Sequence, residues 1–172
     1  MDIAIIMLRF GNTNNIFADI VCVFIYWGRP ECTSYTVLED SSRATSFGDG
    51  TNAGSSVNGK YRCDREGFSG FSGTEVSPGW RGPAWYRFTM PAGTRIPESS
   101  PGPYHCGTVY TGWLSGVHPT SPGASIKAKF CFDWGSNDCG YSTQGKVTNC
   151  GSYFVYYLEN THVCNIRYCA TN

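Results

Sequence analysis

The pattern of apolar and polar positions predicts a β-strand over residues 84–90. Apolar and polar residues alternate there, which is the period of a strand whose two faces meet different surroundings. The alternation sends Tyr86 and Phe88 to one face and Arg87 and Thr89 to the other. We therefore expect one face to pack on a core and the other to meet water.

The clearest alternation covers residues 126–133. It predicts four side chains on the core side, namely Ile126, Ala128, Phe130 and Phe132. It places three charged side chains on the opposite face, namely Lys127, Lys129 and Asp133. A regular period of two over eight residues predicts a strand here more firmly than anywhere else in the chain.

Two further segments predict a hairpin near the C-terminus. Residues 153–158 are rich in aromatic and β-branched side chains, and residues 145–150 precede them across a Gly151-Ser152 turn.

Residues 46–82 are instead rich in Gly, Ser, Asn and Asp and include a doubled Phe-Ser-Gly at residues 68–73, which predicts long inserted loops.

The first thirty residues differ from the rest. Two apolar runs flank a polar stretch in residues 1–30, and Arg9 with the apolar residues 20–27 resembles a secretory signal. No A-x-A cleavage pattern follows, and neither run reaches the roughly 20 residues that a membrane-spanning helix needs. We interpret residues 1–30 as an apolar leader, either a signal-peptide remnant or a wrongly assigned gene start, and begin the domain at residue 31.

Charge balance excludes one class of partner. Thirteen Lys and Arg residues offset thirteen Asp and Glu residues, so the formal net charge is zero. Only 15% of residues are charged, and a chain without a basic excess has little with which to neutralise a phosphate backbone. We therefore expect no nucleic-acid partner.

Cysteine usage indicates the compartment. The chain has nine cysteines and no C-x-x-C, so zinc-knuckle and thioredoxin-type patterns are missing. Cys22 stands apart in an apolar run, which leaves an even set of eight from Cys32 to Cys169. An even set predicts four disulfides and an oxidising compartment, although spacing alone leaves the connectivity open. Together with the strands predicted above, the disulfides define the expected fold class as mainly β: a small, disulfide-rich antiparallel domain with long Gly/Ser-rich loops and little helix.

Catalytic chemistry finds no support in the sequence. His105, His118 and His162 lie beside loop residues without metal-ligand spacing, and G-x-S-x-G, P-loop, G-x-G-x-x-G and calcium-loop patterns are missing. A hydrolase that pairs His118 with Asp133 or Asp138 is the weakest hypothesis. We predict a non-enzymatic protein without catalytic residues, metal or cofactor.

The tryptophans permit two interpretations. Core packing is the more common use of Trp80, Trp85, Trp113 and Trp134, because each aromatic side chain buries a large area. The alternative is stacking on sugar rings by exposed tryptophans. The candidate residues for a ligand surface are Trp80, Trp113 and His118, which lie beside polar loops.

The cysteines and their neighbours resemble a known domain. The matching motifs are Glu31-Cys32, Tyr35-Thr36-Val37-Leu38, Arg43, Cys63-Asp64, Trp85-Tyr86-Arg87-Phe88, Gly112-Trp113-Leu114-Ser115-Gly116-Val117-His118-Pro119, Cys131-Phe132-Asp133-Trp134 and Cys164-Asn165-Ile166-Arg167-Tyr168-Cys169. They resemble the eight-cysteine extracellular domain of the family that includes uromodulin, the zymogen-granule membrane glycoprotein and the liver zona-pellucida protein. The resemblance covers residues 31–170.

That resemblance implies a disulfide pairing. The implied pairs are Cys32–Cys150, Cys63–Cys164, Cys106–Cys169 and Cys131–Cys139. Many relatives carry two more cysteines, where this chain has Ser99 or Ser100 and Asp138. The loss of both together is the expected mark of one lost bridge.

The family also implies a function. Its members are secreted or cell-surface glycoproteins in which the domain often adjoins epidermal-growth-factor-like or zona-pellucida modules. In some members the domain presents an N-linked glycan to bacterial adhesins, but this chain has no Asn-x-Ser/Thr acceptor. We therefore predict an extracellular adhesion or interaction module that presents loops to a protein or glycan ligand. The alternative is a carbohydrate-binding module that uses exposed tryptophans.

Overall fold

The computed structural model describes residues 28–52, 54–67 and 72–172, together with two strands of the first segment, β1 (Ala4–Leu8) and β2 (Val21–Ile25). β1 and β2 pair antiparallel. Most of the predicted leader, the bonding of the Cys22 side chain and most of the doublet at residues 68–73 lie outside the described residues.

Nine more strands follow, and the helical content of the described residues is limited to two short 3-10 helices. The strands are β3 (Thr36–Leu38), β4 (Tyr61–Cys63), β5 (Thr74–Val76), β6 (Ala84–Phe88), β7 (Tyr110–Leu114), β8 (Ser125–Asp133), β9 (Tyr141–Asn149), β10 (Phe154–Leu158) and β11 (Ile166–Tyr168). The 3-10 helices are Pro30–Cys32 and Ser41–Arg43. The predicted fold class, mainly β with little helix, is confirmed.

One seven-stranded sheet organises the domain, with the strand order β11-β7-β8-β9-β10-β6-β3. Its central pairs are antiparallel, and the predicted pairing of residues 145–150 with residues 153–158 is confirmed as β9 against β10. The two outermost pairs, β3 with β6 and β11 with β7, are parallel. Parallel partners need long connections, so residues distant in sequence close both edges of the sheet.

The alternation in β6 and β8 matches the observed burial with two exceptions. Tyr86 and Phe88 are buried, as are Ala128, Phe130 and Phe132. The predictions for the two ends of β8 are wrong. Ile126 is the second residue of the strand and is 37% exposed, although its cross-strand partner Val147 lies in the core. Asp133 is buried, and its carboxylate accepts hydrogen bonds from the backbone of Gly135 and the hydroxyl of Ser100.

The loop segment of residues 46–82 contains more regular structure than its composition indicates. β4 and β5 form a separate parallel pair within it. Val76 packs against the core, and Trp80 lies inside it. No helix in the described part of the chain is both long and apolar enough to cross a membrane.

Candidate ligand-binding surface

Four disulfides cross-link the described domain. They join Cys32 to Cys150, Cys63 to Cys164, Cys106 to Cys169 and Cys131 to Cys139. The four pairs are the same as those that the family resemblance implies. Three of them span 63 to 118 residues of sequence, so they tie the first part of the domain to its end. The Cα–Cα distances, from 4.6 to 5.7 Å, are ordinary for disulfides.

A buried ionic network also connects the first part of the domain to its end. Arg43 donates to both carboxylate oxygens of Asp64 at 2.6 and 2.7 Å, and neither side chain is exposed. Arg167, also fully buried, pairs with Asp40 at 2.5 Å. Burial, followed by the neighbouring Arg43 cation, lowers the pKa of Arg167 to about 9. Because both acids pair with buried arginines, this network is structural.

Trp80 does not belong to an accessible ligand surface. Its side chain is only 6% exposed. The indole stacks on Tyr86, with ring centroids 4.6 Å apart and planes 6° apart, and lies against Tyr168 on the core side. Its Nε1 donates to the side-chain oxygen of Asn160 at 2.9 Å. Core packing with a satisfied N–H is therefore the role of Trp80.

His118 is also buried, at 7% exposure. Its Nδ1 lies 2.5 Å from Oε1 of Glu98, and its Nε2 lies 2.8 Å from the hydroxyl of Tyr156. The backbone N–H of Ile96 donates to that hydroxyl, so the hydroxyl can donate its own proton to Nε2 while Nδ1 donates to Glu98. This arrangement satisfies a neutral imidazole.

The electrostatics of this group agree with its geometry. Burial lowers the pKa of His118, against the opposing effect of Glu98. Hydrogen bonds from the backbone and ring of His118 lower the pKa of Glu98. Burial raises the pKa of Tyr156, which keeps its hydroxyl protonated. Glu98, His118 and Tyr156 therefore form one hydrogen-bonded chain that holds the loop residues Glu98 and His118 against β10.

Trp113 lies apart from the other two predicted residues. It is half-buried on β7, and its Nε1 donates to the backbone oxygen of Asp138 at 2.7 Å. The structure therefore does not assemble Trp80, Trp113 and His118 into one exposed surface. The expectation of a shared ligand surface is corrected, because two of its members serve the core.

Two clefts instead lie on either side of Arg95. The first, of about 320 Å³, is polar and includes Glu98 and Ser100. The second, of about 390 Å³, includes Met90 and Phe154. Arg95 is exposed and lines both, and its side chain has no ion pair or hydrogen bond with any described residue. We call this pair the Arg95 clefts.

The surroundings of the Arg95 clefts link them to the buried histidine. Glu98, which holds His118, lines the first cleft, and Phe154, whose ring lies 4.5 Å from that of His118, lines the second. Met90 is 59% exposed and Val117, next to His118, is 70% exposed. Sequence patterning gave no signal for this surface. Met90 ends the predicted strand over residues 84–90 and lies just beyond β6 in the structure, and Arg95 lies in a loop without periodicity. Among the described residues, no cluster of three or more acidic, His or Cys side chains is placed to hold a metal ion.

Comparison with known proteins finds a family model and relatives that are similar to this chain. Residues 86–170, from β6 to just beyond β11, match the family model of a uromodulin-like domain. The chain is 32% identical over 139 residues to the pancreatic secretory granule membrane major glycoprotein GP2 of Canis lupus familiaris. The aligned region covers 80% of this chain and 23% of that relative. It is 30% identical over 139 residues to uromodulin of Mus musculus, covering 80% of this chain and 18% of the relative.

The chain carries a uromodulin-like domain. The predicted resemblance is therefore confirmed. The matched residues 86–170 include six of the eight paired cysteines, while Cys32 and Cys63 lie ahead of them and are joined to them by disulfides. The chain spans less than a quarter of the length of these curated relatives. Arg43, Asp64 and Arg167 all stand in the motifs that carry the resemblance, but only the structure reveals their contact.

Proposed function

We propose that this uromodulin-like domain is a non-enzymatic, extracellular interaction module that binds a partner protein through the Arg95 clefts. The observation that carries the proposal is a cation exposed between two clefts on a four-disulfide domain. The proposed location is secreted or on the outer cell surface, within a longer glycoprotein beside epidermal-growth-factor-like or zona-pellucida modules.

The composition of the clefts supports a protein partner. Arg, Met and aromatic residues are enriched where proteins meet, and this surface offers Arg95, the exposed Met90 and the rings of Tyr153 and Phe154. An arginine without a partner of its own is available for an acidic or carbonyl group of a ligand. The clefts are also anchored, because the backbone of Arg95 exchanges two hydrogen bonds with Thr171, at 2.7 and 3.0 Å.

The disulfides support the extracellular location. Each of the eight cysteines from Cys32 to Cys169 is paired, and such pairing persists in oxidising compartments. The core itself contains two fully buried arginines, so covalent cross-links compensate for polar groups in the interior. A glycine-rich chain of this kind gains from loops that are closed covalently.

Binding to an array of secreted proteins and receptor ectodomains tests the proposal. The oxidised protein is expected to bind a partner whose affinity falls about tenfold or more in Arg95→Ala. Arg81→Ala, which also removes one exposed arginine, is the matched control and should leave that affinity within about twofold. The proposal fails if no partner on the array distinguishes Arg95→Ala from the control, or if the reduced, unfolded chain binds equally well.

A further inference from the structure

The outward face of the sheet concentrates the lysines of this neutral chain. The sequence contains four lysines, and three of them, Lys127, Lys129 and Lys146, lie exposed on β8 and β9. The fourth, Lys60, lies in the loop before β4. Thirteen acidic residues balance the thirteen basic residues of the chain, so its net charge gives no indication of this face. The local positive charge arises because the fold places three lysines on two neighbouring strands.

Strand register brings two of these charges together. Lys127 on β8 lies directly opposite Lys146 on β9, and Lys129 lies opposite Gln144 on the same face. Like charges directly opposite each other in a sheet are destabilising. None of the three lysines has an ion pair or a side-chain hydrogen bond with a described residue. Glu31 accepts a hydrogen bond from Thr148, two positions along β9 from Lys146, and makes no ion pair with these lysines.

The same row continues into aromatic side chains. Lys146 lies opposite Tyr157 of β10, and Tyr157 lies opposite Trp85 of β6. The two rings are half-buried and meet edge to face, with centroids 5.7 Å apart. Neighbouring strands are about 4.8 Å apart, so two cations and two rings follow one another across four strands at that spacing. We call this set, with Lys129, the lysine face.

We infer that the lysine face binds an anionic saccharide. The ammonium groups would meet the sulfate or carboxylate groups of the ligand, and the rings of Tyr157 and Trp85 would pack against the apolar faces of its sugar rings. A ligand that brings negative charge also removes the repulsion between Lys127 and Lys146. Polyglutamate would neutralise the lysines but would offer no apolar ring face to Tyr157 and Trp85.

This site is distinct from the Arg95 clefts. None of the lysine-face residues lines either cleft. Loss of saccharide binding and loss of protein binding are therefore separable outcomes. The two proposals stand or fall independently.

Titration calorimetry at physiological ionic strength tests the inference with defined probes. The probes are an oligosaccharide of dextran sulfate, an oligosaccharide of galacturonic acid, neutral dextran of equal length and polyglutamate of equal charge. We expect one or both acidic saccharides to bind, and the comparison of the two identifies sulfate or carboxylate as the preferred group. Neutral dextran and polyglutamate should bind about tenfold more weakly or not at all.

Variants locate the site. Lys127→Gln with Lys146→Gln should weaken saccharide binding about tenfold or more, whereas Lys60→Gln should leave it within about twofold. Tyr157→Leu should weaken binding while Tyr157→Phe, which keeps the ring, should restore it. Near-ultraviolet circular dichroism verifies that each variant is folded.

Chemical labelling provides an independent measurement on the unmodified chain. Acylation of lysines, quantified by mass spectrometry, should slow at all three lysines of the face when the saccharide is present and stay constant at Lys60. The inference is overturned if neither acidic saccharide binds, if polyglutamate binds as tightly as the saccharides, or if Tyr157→Leu has no effect. Equal protection of Lys60 would also overturn it.

Discussion

Asp64 binds Arg43 through both carboxylate oxygens in the interior of the domain, and neither side chain has any exposed surface. Asp64 also accepts the backbone N–H of Tyr168 on β11. One carboxylate therefore connects the beginning of the domain to its end. Asp64 directly follows Cys63, which forms a disulfide with Cys164. The ion pair and the disulfides act on the same junction.

Asp64→Asn should destabilise the domain by about 3–5 kcal/mol, because it leaves the buried Arg43 guanidinium without its counter-charge. Urea unfolding of the oxidised protein measures this loss. Glu75→Gln removes the acid of the partly exposed Arg62 pair and should cost about 1 kcal/mol or less. Equal losses in the two variants would contradict the role assigned to Asp64.

Trp80→Ala should cost about 3–5 kcal/mol, because it empties the stack against Tyr86 and removes the donor to Asn160. Trp134→Ala, at a residue that is 41% exposed, should cost clearly less. Thermal unfolding compares the two variants. If Trp80→Ala were as stable as the parent and only lost ligand binding, the original surface interpretation of Trp80 would return.

The buried His118 predicts a loss of stability in mild acid. Its pKa is lowered by burial in the folded state, so below the usual histidine value of about 6.5 the unfolded chain takes up a proton that the folded chain does not. The free energy of unfolding should therefore fall as the pH drops through this range. Glu98 and Arg95 are the charged groups that act on this ring, with opposite signs.

His118→Gln should flatten that pH dependence, which urea unfolding at about pH 7.5 and about pH 5.5 measures. His162→Gln, at an exposed histidine, is the control. A slope in His118→Gln as steep as that of the parent would show that another group is responsible.

Lys146→Glu should raise stability by about 0.2–1 kcal/mol, because it turns the like-charged pair with Lys127 into an opposite-charged one. The same variant should lose saccharide binding. Lys60→Glu provides the comparison for a change of two charge units away from the sheet. A lower melting temperature in Lys146→Glu than in Lys60→Glu would mean that the repulsion is already relieved in the protein.

Strands with a regular period were predictable from the sequence, and those held by distant partners were not. β8 is found within one residue of the predicted segment, since its side chains alternate between core and water over most of its length. β7 contains Gly112, which weakens any strand prediction. A Cβ there would lie 2.7 Å from the backbone oxygen of Arg167, so β11 packs in the space that glycine leaves.

Local sequence patterns carried less information about the candidate surface. Trp80 and His118 have the same neighbours in sequence whether they face water or the core, and only the partners Tyr86 and Glu98, brought by the fold, decide between the two. Part of the lysine face was predictable from the sequence, because the alternation correctly placed the side chains of Lys127 and Lys129 on the outward face. Lys146 joins them through the register of β9, which a single sequence does not specify.

The most direct test of this account is the near-ultraviolet circular dichroism of the purified protein after the four disulfides have been reduced without denaturant. The account predicts that the tertiary signal of Trp80, Tyr86 and Tyr168 disappears, because the disulfides hold together the two ends of a domain with a polar interior. An unchanged signal, in a sample whose free thiols are verified by alkylation, would contradict it.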